Sequence, residues 1–205
     1  MKQLIALLVT SAPMAASWQL GIAKPPQKLE IPPYPTYLHT DDFHPEWVKV
    51  QGAGIEVRTS YLSKRSPYLP ATVTLTPLVV FTKGATPKVD YLLWFLYEAD
   101  DWLFINAVSF LVEGKVTDFP VEPQTDVVDG GITEMFGLDD FGDWFSRADS
   151  SFTCKVRLTG RSGAYVDFVL GPPNDYSRGW NSSIQEFLRR AHEVQDSLIT
   201  LDKTK

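Results

Sequence analysis

Cysteine and histidine are scarce in this chain, and basic residues are outnumbered. Cys154 is the one cysteine among 205 residues, which excludes an intrachain disulfide and any zinc or iron–sulfur site built from several cysteines. Lysine and arginine number 19 against 25 acidic residues, giving a formal charge of −6. That balance argues against a nucleic-acid-binding surface, which normally carries a clustered basic excess.

The N-terminal apolar run is short. Residues 4–9 fall far below the roughly 20 apolar residues that cross a bilayer, so no transmembrane segment is expected. Lys2 precedes the run, and small residues at Ala15 and Ser17 suit a signal peptidase site before Trp18. The sequence therefore predicts a signal peptide at 1–17 and an exported protein, periplasmic or secreted. The alternative is that residues 3–9 form an ordinary buried helix or strand of a cytoplasmic protein.

Familiar catalytic motifs are missing as well. The chain has no Gly-x-Ser-x-Gly nucleophile elbow, no phosphate-binding glycine loop and no dinucleotide fingerprint. Cys154 lies in a segment where apolar and polar residues alternate, which predicts an inert thiol on the buried face of a strand. His192 is expected on the surface of a C-terminal helix rather than as a general base.

The composition that is present, 44% apolar and 21% charged, is typical of a folded globular protein. Six of the fifteen prolines fall within residues 18–46. Because proline fixes φ and removes a backbone donor, this stretch predicts an extended, Pro-rich arm. A single domain is then expected at 47–205.

Strand-like patterns begin at Trp47. Residues 48–50 and 55–59 flank Gly52 and Gly54, which predicts a hairpin. Residues 71–83 alternate until Pro77, which predicts an edge strand or two strands with a bulge.

Two apolar runs, residues 88–98 and 102–112, are joined by Asp100 and Asp101 and predict a long central hairpin that forms the core. Residues 114–131 are expected to be a loop. Residues 152–158 and 165–170 predict a further hairpin across a glycine turn.

Two segments have helical spacing of apolar residues. One is short, at 138–148; the other follows a capping box formed by Ser183 and Glu186 and continues to about Leu201. The sequence thus predicts an α+β fold. It combines a curved antiparallel sheet of about six to eight strands, a short helix near 138–148, and a long C-terminal amphipathic helix packed on the sheet.

The segment His39-Thr40-Asp41-Asp42-Phe43-His44 brings metal-competent side chains together. Neutral imidazoles and carboxylates suit zinc or another divalent transition metal, so His39, Asp41, Asp42 and His44 are candidate ligands. The spacing matches no established motif, and a further ligand such as Glu134 or Asp129 would have to come from elsewhere. The alternative is a solvated polar turn without a cofactor.

Aromatic residues make up 13% of the chain, with six tryptophans. Trp94 and Trp102 are expected in the core of the central hairpin. Trp144, Tyr176 and Trp180 lie in Gly- and Asp-rich surroundings and are the candidates for an exposed patch that binds a sugar or a partner protein.

Two functional hypotheses follow. The first is a non-catalytic exported module that binds a protein or an envelope polymer through its surface. The second is an exported metal-dependent hydrolase that uses residues 39–44. The lack of an assembled catalytic motif favours the first, and neither predicts an oligomeric state.

Overall fold

The computed structural model describes residues 36–40, 42–62, 67–83, 88–128, 131–149, 151–171 and 179–202. The chain divides into two compact units, residues 1–30 and 31–205, and every described residue belongs to the second. The predicted signal peptide and residues 18–35 of the predicted arm therefore lie outside the described residues.

Across the described residues the chain is mostly antiparallel strand with two helices, so the predicted α+β class is confirmed at that level. The elements are β1 (Tyr37–Thr40), β2 (Trp47–Gln51), β3 (Ile55–Leu62), β4 (Pro67–Thr82), β5 (Lys88–Ala99), β6 (Ile105–Val112), β7 (Lys115–Pro120), β8 (Gln124–Val128), β9 (Gly131–Leu138), α1 (Gly142–Ser146), β10 (Cys154–Gly160), β11 (Tyr165–Leu170) and α2 (Trp180–Asp202).

The strands form two sheets that are joined where β11 lies beside β3. In the first sheet β3, β4, β5, β9 and β8 lie side by side, with β2 also on β4 and β1 on β2. In the second sheet the order is β7, β6, β10, β11. The connection includes the pairing of Tyr165 in β11 with Leu62 in β3 and a hydrogen bond from the Thr59 hydroxyl to the Asp167 carbonyl at 2.9 Å.

The expected hairpin around Gly52 and Gly54 is wrong. Both β2 and β3 pair with β4, Gln51 opposite Leu78 and Ile55 opposite Leu75, so the chain continues along one edge of β4. Three residues bulge there opposite Thr76 and Pro77. The Gly52 N–H donates to the Pro77 carbonyl at 2.9 Å, and a Cβ at Gly52 would lie 2.7 Å from the proline ring. Pro77 thus sits inside one continuous 16-residue strand, and the bulge is in its partner.

The long central hairpin is also wrong, although both of its runs are strands. β5 pairs with β4 and β9, whereas β6 pairs with β7 and β10 in the other sheet. The acidic link between them does not turn the chain back; it carries the chain from one sheet to the other. The second strand accordingly begins at Ile105 rather than at Trp102.

The strand count exceeds the prediction because residues 114–131, expected as a loop, contain β7 and β8, and β9 occupies residues 131–138, where no strand was predicted. Their side chains are largely exposed, so they lack the apolar alternation that marks a buried strand. β1 likewise places residues 37–40 of the predicted arm on the sheet. The hairpin of β10 and β11 is confirmed, with Cys154 opposite Leu170.

The inner faces of both sheets share one apolar core. Leu93, Phe95 and Tyr97 of β5 are buried there, and the ring of Phe95 lies 6.4 Å from that of Phe110 in β6. Cys154 is fully buried as predicted, and burial raises the pKa of its thiol to about 12. Phe145 of α1 joins the core and contacts Phe187 of α2 edge to face at 5.7 Å.

α2 begins at Trp180, three residues before the predicted N-cap, Ser183. The Ser183 hydroxyl donates to the Gly179 carbonyl at 2.8 Å, so Ser183 lies inside the first turn and the capping box is wrong. Glu186 pairs instead with Arg189 on the helix surface. Trp180, Ile184, Phe187 and Ala191 are buried at helical spacing.

Candidate functional site

An exposed pair of stacked aromatic rings follows β5. The ring centroids of Trp102 and Phe104 lie 5.5 Å apart, and the ring planes differ by 16°. Phe104 is 49% exposed, and Trp102 is half-buried. Paired rings offer a flat apolar surface with low side-chain entropy, a feature of recognition sites.

The backbone that carries this pair is in an unusual conformation. Phe104 has φ of 52°, in the left-handed region that bulky residues rarely adopt. This conformation costs roughly 1–2 kcal/mol for a residue with a Cβ. Such a residue persists only where its surroundings fix it.

A buried carboxylate from β9 holds this backbone. Glu134 has no exposed surface. Its Oε1 accepts the N–H groups of Leu103 at 2.8 Å and Phe104 at 2.7 Å, and its Oε2 accepts the Ile105 N–H at 2.7 Å. Successive N–H groups converging on one anion form a nest, and bonds to a charged acceptor are the strong kind. The negative charge of Glu134 is therefore compensated inside the protein.

The β10–β11 turn fixes the same loop from another side. The Arg161 N–H donates to the Phe104 carbonyl at 3.0 Å. A Cβ at Gly160 would lie 2.0 Å from the Leu103 carbonyl oxygen, so only glycine permits this approach. The loop that carries the aromatic pair is therefore fixed by contacts with both sheets, through Glu134 of β9 and through the β10–β11 turn.

A groove of about 400 Å³ lies at the end of β5, where this loop begins. Its polar lining includes Thr72, Glu98, Asp100 and Thr133. Thr72 and Thr133 flank Glu98 on the neighbouring strands. The volume is at the lower end of the range for small-ligand sites. Asp100 belongs both to the groove wall and to the loop that leads to Trp102.

The predicted aromatic patch is not assembled as expected. Trp180 is 2% exposed because it opens α2 on the buried side, so the expectation of an exposed ring there is wrong. Trp144 is half-buried among other rings, 4.8 Å from Phe110 and 5.6 Å from Phe141. Tyr176 lies outside the described residues.

The predicted metal ligands are spread over β1 and the turn after it. His39 is in β1 opposite Lys49; burial, and then the nearby Lys49 charge, lower the pKa of its imidazole. The ring of His44 stacks on Trp47 at 4.1 Å, and its Nδ1 lies 3.2 Å from Glu46 Oε1.

The remaining candidate ligands do not complete a set. Asp42 is exposed, Asp41 lies outside the described residues, and both Glu134 oxygens are used by backbone N–H groups. In the part of the chain that the structure describes, no three His, Cys, Asp or Glu residues form a group that could hold a metal ion. The metal site stays a prediction.

Charged groups on the outer face of the second sheet are paired with one another. The Arg157 guanidinium donates two hydrogen bonds to Asp167, at 2.7 and 2.8 Å, and lies 4.0 Å from the Tyr165 ring. Lys155 is 2.9 Å from the same carboxylate. The hydrogen bond from Arg157 is the main cause that lowers the pKa of Asp167; burial opposes it, and Lys155 adds to the lowering. This arrangement is that of a structural ion pair.

Sequence reasoning missed the exposed pair of Trp102 and Phe104 because it placed the tryptophan inside a hairpin, and it considered Glu134 only as a possible metal ligand. One signal was available. Glu134 stands between Ile132 and Phe136 at a position that alternation assigns to the buried face. A carboxylate in phase with core residues requires internal hydrogen-bond donors, which is what residues 103–105 supply.

None of the helices in the described ranges combines the length and apolar character that crossing a membrane requires. No protein family, no curated protein and no solved structure matches the chain.

Proposed function

We propose that the chain is an exported, non-catalytic binding module and that Trp102 and Phe104 form its recognition surface. The observation that carries the proposal is the stacked, exposed ring pair on a loop fixed by Glu134. The partner is a protein or a polymer of the cell envelope or exterior. The N-terminal pattern of residues 1–17 supports export.

The fixed loop is what makes the ring pair suited to binding. A surface that is already ordered does not lose conformational entropy when a ligand arrives, so more of the contact energy contributes to affinity. The φ of Phe104 would be unfavourable in a free loop, and Glu134 offsets that cost before any ligand binds. The protein therefore presents the rings in one arrangement.

The rest of the fold serves as a scaffold in this proposal. α2 acts as a long amphipathic helix that covers the sheet core, with Ile184 and Phe187 on its buried side. The core positions of both sheets are filled by apolar and aromatic side chains. Binding is thus assigned to the loop after β5 rather than to the interior.

The ring pair is tested by single substitutions. Trp102→Ala and Phe104→Ala should each weaken binding to isolated envelope material at least about tenfold, as for a central interface aromatic. Val116→Ala is the matched control, because Val116 is 55% exposed on β7 in the other sheet. Binding would be measured by cosedimentation, and near-UV circular dichroism would verify that each variant is folded. If both ring variants are folded and bind like the wild type, the proposal fails.

Export is tested separately by N-terminal sequencing of the protein recovered outside the cytoplasm. We expect the mature chain to start at Trp18. A chain that remains in the cytoplasm and begins at residue 1 would refute the export part of the proposal.

A further inference from the structure

We infer that the ligand of this surface is a neutral, hydroxyl-rich carbohydrate chain, with one sugar ring on the Trp102–Phe104 pair and a neighbouring ring in the groove at the end of β5. The inference rests on the proposed function and specifies the chemistry of its partner. It is carried by the position of the groove, by its polar side chains and by the charges around the rings.

The groove and the ring pair are close enough for one short oligomer to contact both. Asp100 lines the groove, and Trp102 follows it by two residues. Two residues of extended chain span at most about 7 Å. A ligand with repeating rings can therefore stack on the aromatic pair while its next unit enters the groove.

The polar side chains of the groove suit hydroxyl groups. Glu98 and Asp100 provide carboxylate acceptors, and Thr72 and Thr133 provide hydroxyls that both donate and accept. Sugar hydroxyls donate and accept in the same way. The apolar faces of Trp102 and Phe104 would match the C–H face of a sugar ring, which a purely polar groove would leave without a partner.

The exposed carboxylates around the site disfavour an anionic ligand. Glu98, Asp100 and Asp101 are exposed acidic residues, so an anionic polymer would be repelled. Among the described residues that line the groove there is no lysine or arginine. A neutral ligand avoids this repulsion, and a basic peptide would lack the C–H face of a sugar ring that the aromatic pair matches.

The test is a titration of the mature chain, residues 18–205, with each probe. Binding is monitored by tryptophan fluorescence and by calorimetry. The probes are three neutral hexasaccharides (cellohexaose, laminarihexaose and maltohexaose), the acidic hexagalacturonate, and a lysine-rich hexapeptide. We expect at least one neutral hexasaccharide to bind, with little dependence on salt. Hexagalacturonate and the peptide should bind at least tenfold more weakly.

Variants identify the surface that binds. Trp102→Ala and Phe104→Ala should each raise the dissociation constant of the bound hexasaccharide at least tenfold. The double variant Glu98→Gln, Asp100→Asn should raise it at least threefold. Val116→Ala should leave it unchanged. Near-UV circular dichroism of each variant verifies that a loss reflects the site and not unfolding.

Three results would overturn the inference: no neutral hexasaccharide binds, a charged probe binds more tightly, or the ring variants bind the sugar like the wild type. Failure here is distinguishable from failure of the proposed function. If no sugar binds but Phe104→Ala still weakens binding to envelope material, the recognition surface stands and its ligand is not a neutral carbohydrate.

Discussion

Replacing Glu134 should destabilise the protein far more than replacing an exposed carboxylate. In Glu134→Gln the amide oxygen can still accept two of the three N–H groups, but the amide nitrogen cannot accept the third. One charge-assisted bond is lost and one buried N–H is left without an acceptor, which together cost about 3 kcal/mol. Glu134→Ala leaves three N–H groups unsatisfied and should cost more, about 3–5 kcal/mol.

Equilibrium unfolding in urea, followed by tryptophan fluorescence, measures these losses through the shift of the midpoint. Glu98→Gln is the control, because Glu98 is an exposed glutamate on the neighbouring strand and should leave the midpoint unchanged. Acetate or formate should partly restore the midpoint of Glu134→Ala by occupying the vacated nest, whereas chloride at equal ionic strength should not.

The reasoning would be refuted if Glu134→Gln unfolds at the wild-type midpoint. It would equally be refuted if chloride restores Glu134→Ala as well as acetate does, because the effect would then come from general screening rather than from the three N–H groups.

Three further outcomes are expected. Gly160→Ala should lower the melting temperature, because the added Cβ would lie 2.0 Å from the Leu103 carbonyl oxygen; an unchanged calorimetric transition would contradict this close approach. Cys154, with its pKa raised to about 12, should resist a thiol reagent at pH 8 until urea unfolds the chain, and rapid native labelling would show that the thiol is accessible. Asp167 has a folded-state pKa below its unfolded value, so its stabilising contribution is present above the unfolded pKa and is lost as pH falls through the folded one. Asp167→Asn should therefore lose less stability than the wild type in urea titrations as the pH falls from neutral to below the ordinary aspartate pKa, and equal losses would argue against the ion pair.

The sequence allowed prediction of which segments are strands better than of how they pair. Residues 152–158 and 165–170 are separated by a short glycine turn, and there the nearest partner is the true one. The runs before and after Asp100 look equally well matched, yet β5 is flanked by β4 and β9. Alternation reports which face of a strand is buried; it does not report which strand lies alongside.

The candidate site could not be predicted from the sequence for a related reason. Trp102 and Phe104 are apolar residues next to an apolar run, and their composition resembles the core residues that follow. They are exposed where the chain changes sheet through a left-handed residue, and the N–H of that residue, Phe104, is bound by a carboxylate 30 positions away. A contact between residues so far apart in the sequence leaves no pattern in the residues around either of them. Trp180 shows the converse: its Gly-rich surroundings suggested exposure, but its helix buries it.

The joining of β11 to β3 has a consequence for how the chain folds. β3, β4 and β5 form from consecutive hairpins, whereas the Thr59 hydroxyl reaches the Asp167 carbonyl across 108 positions of sequence. Closing so long a loop is entropically costly and is compensated only when many contacts form together. The meander of β3 to β5 should therefore assemble early, and the joining of β11 to β3 should be among the last events of folding.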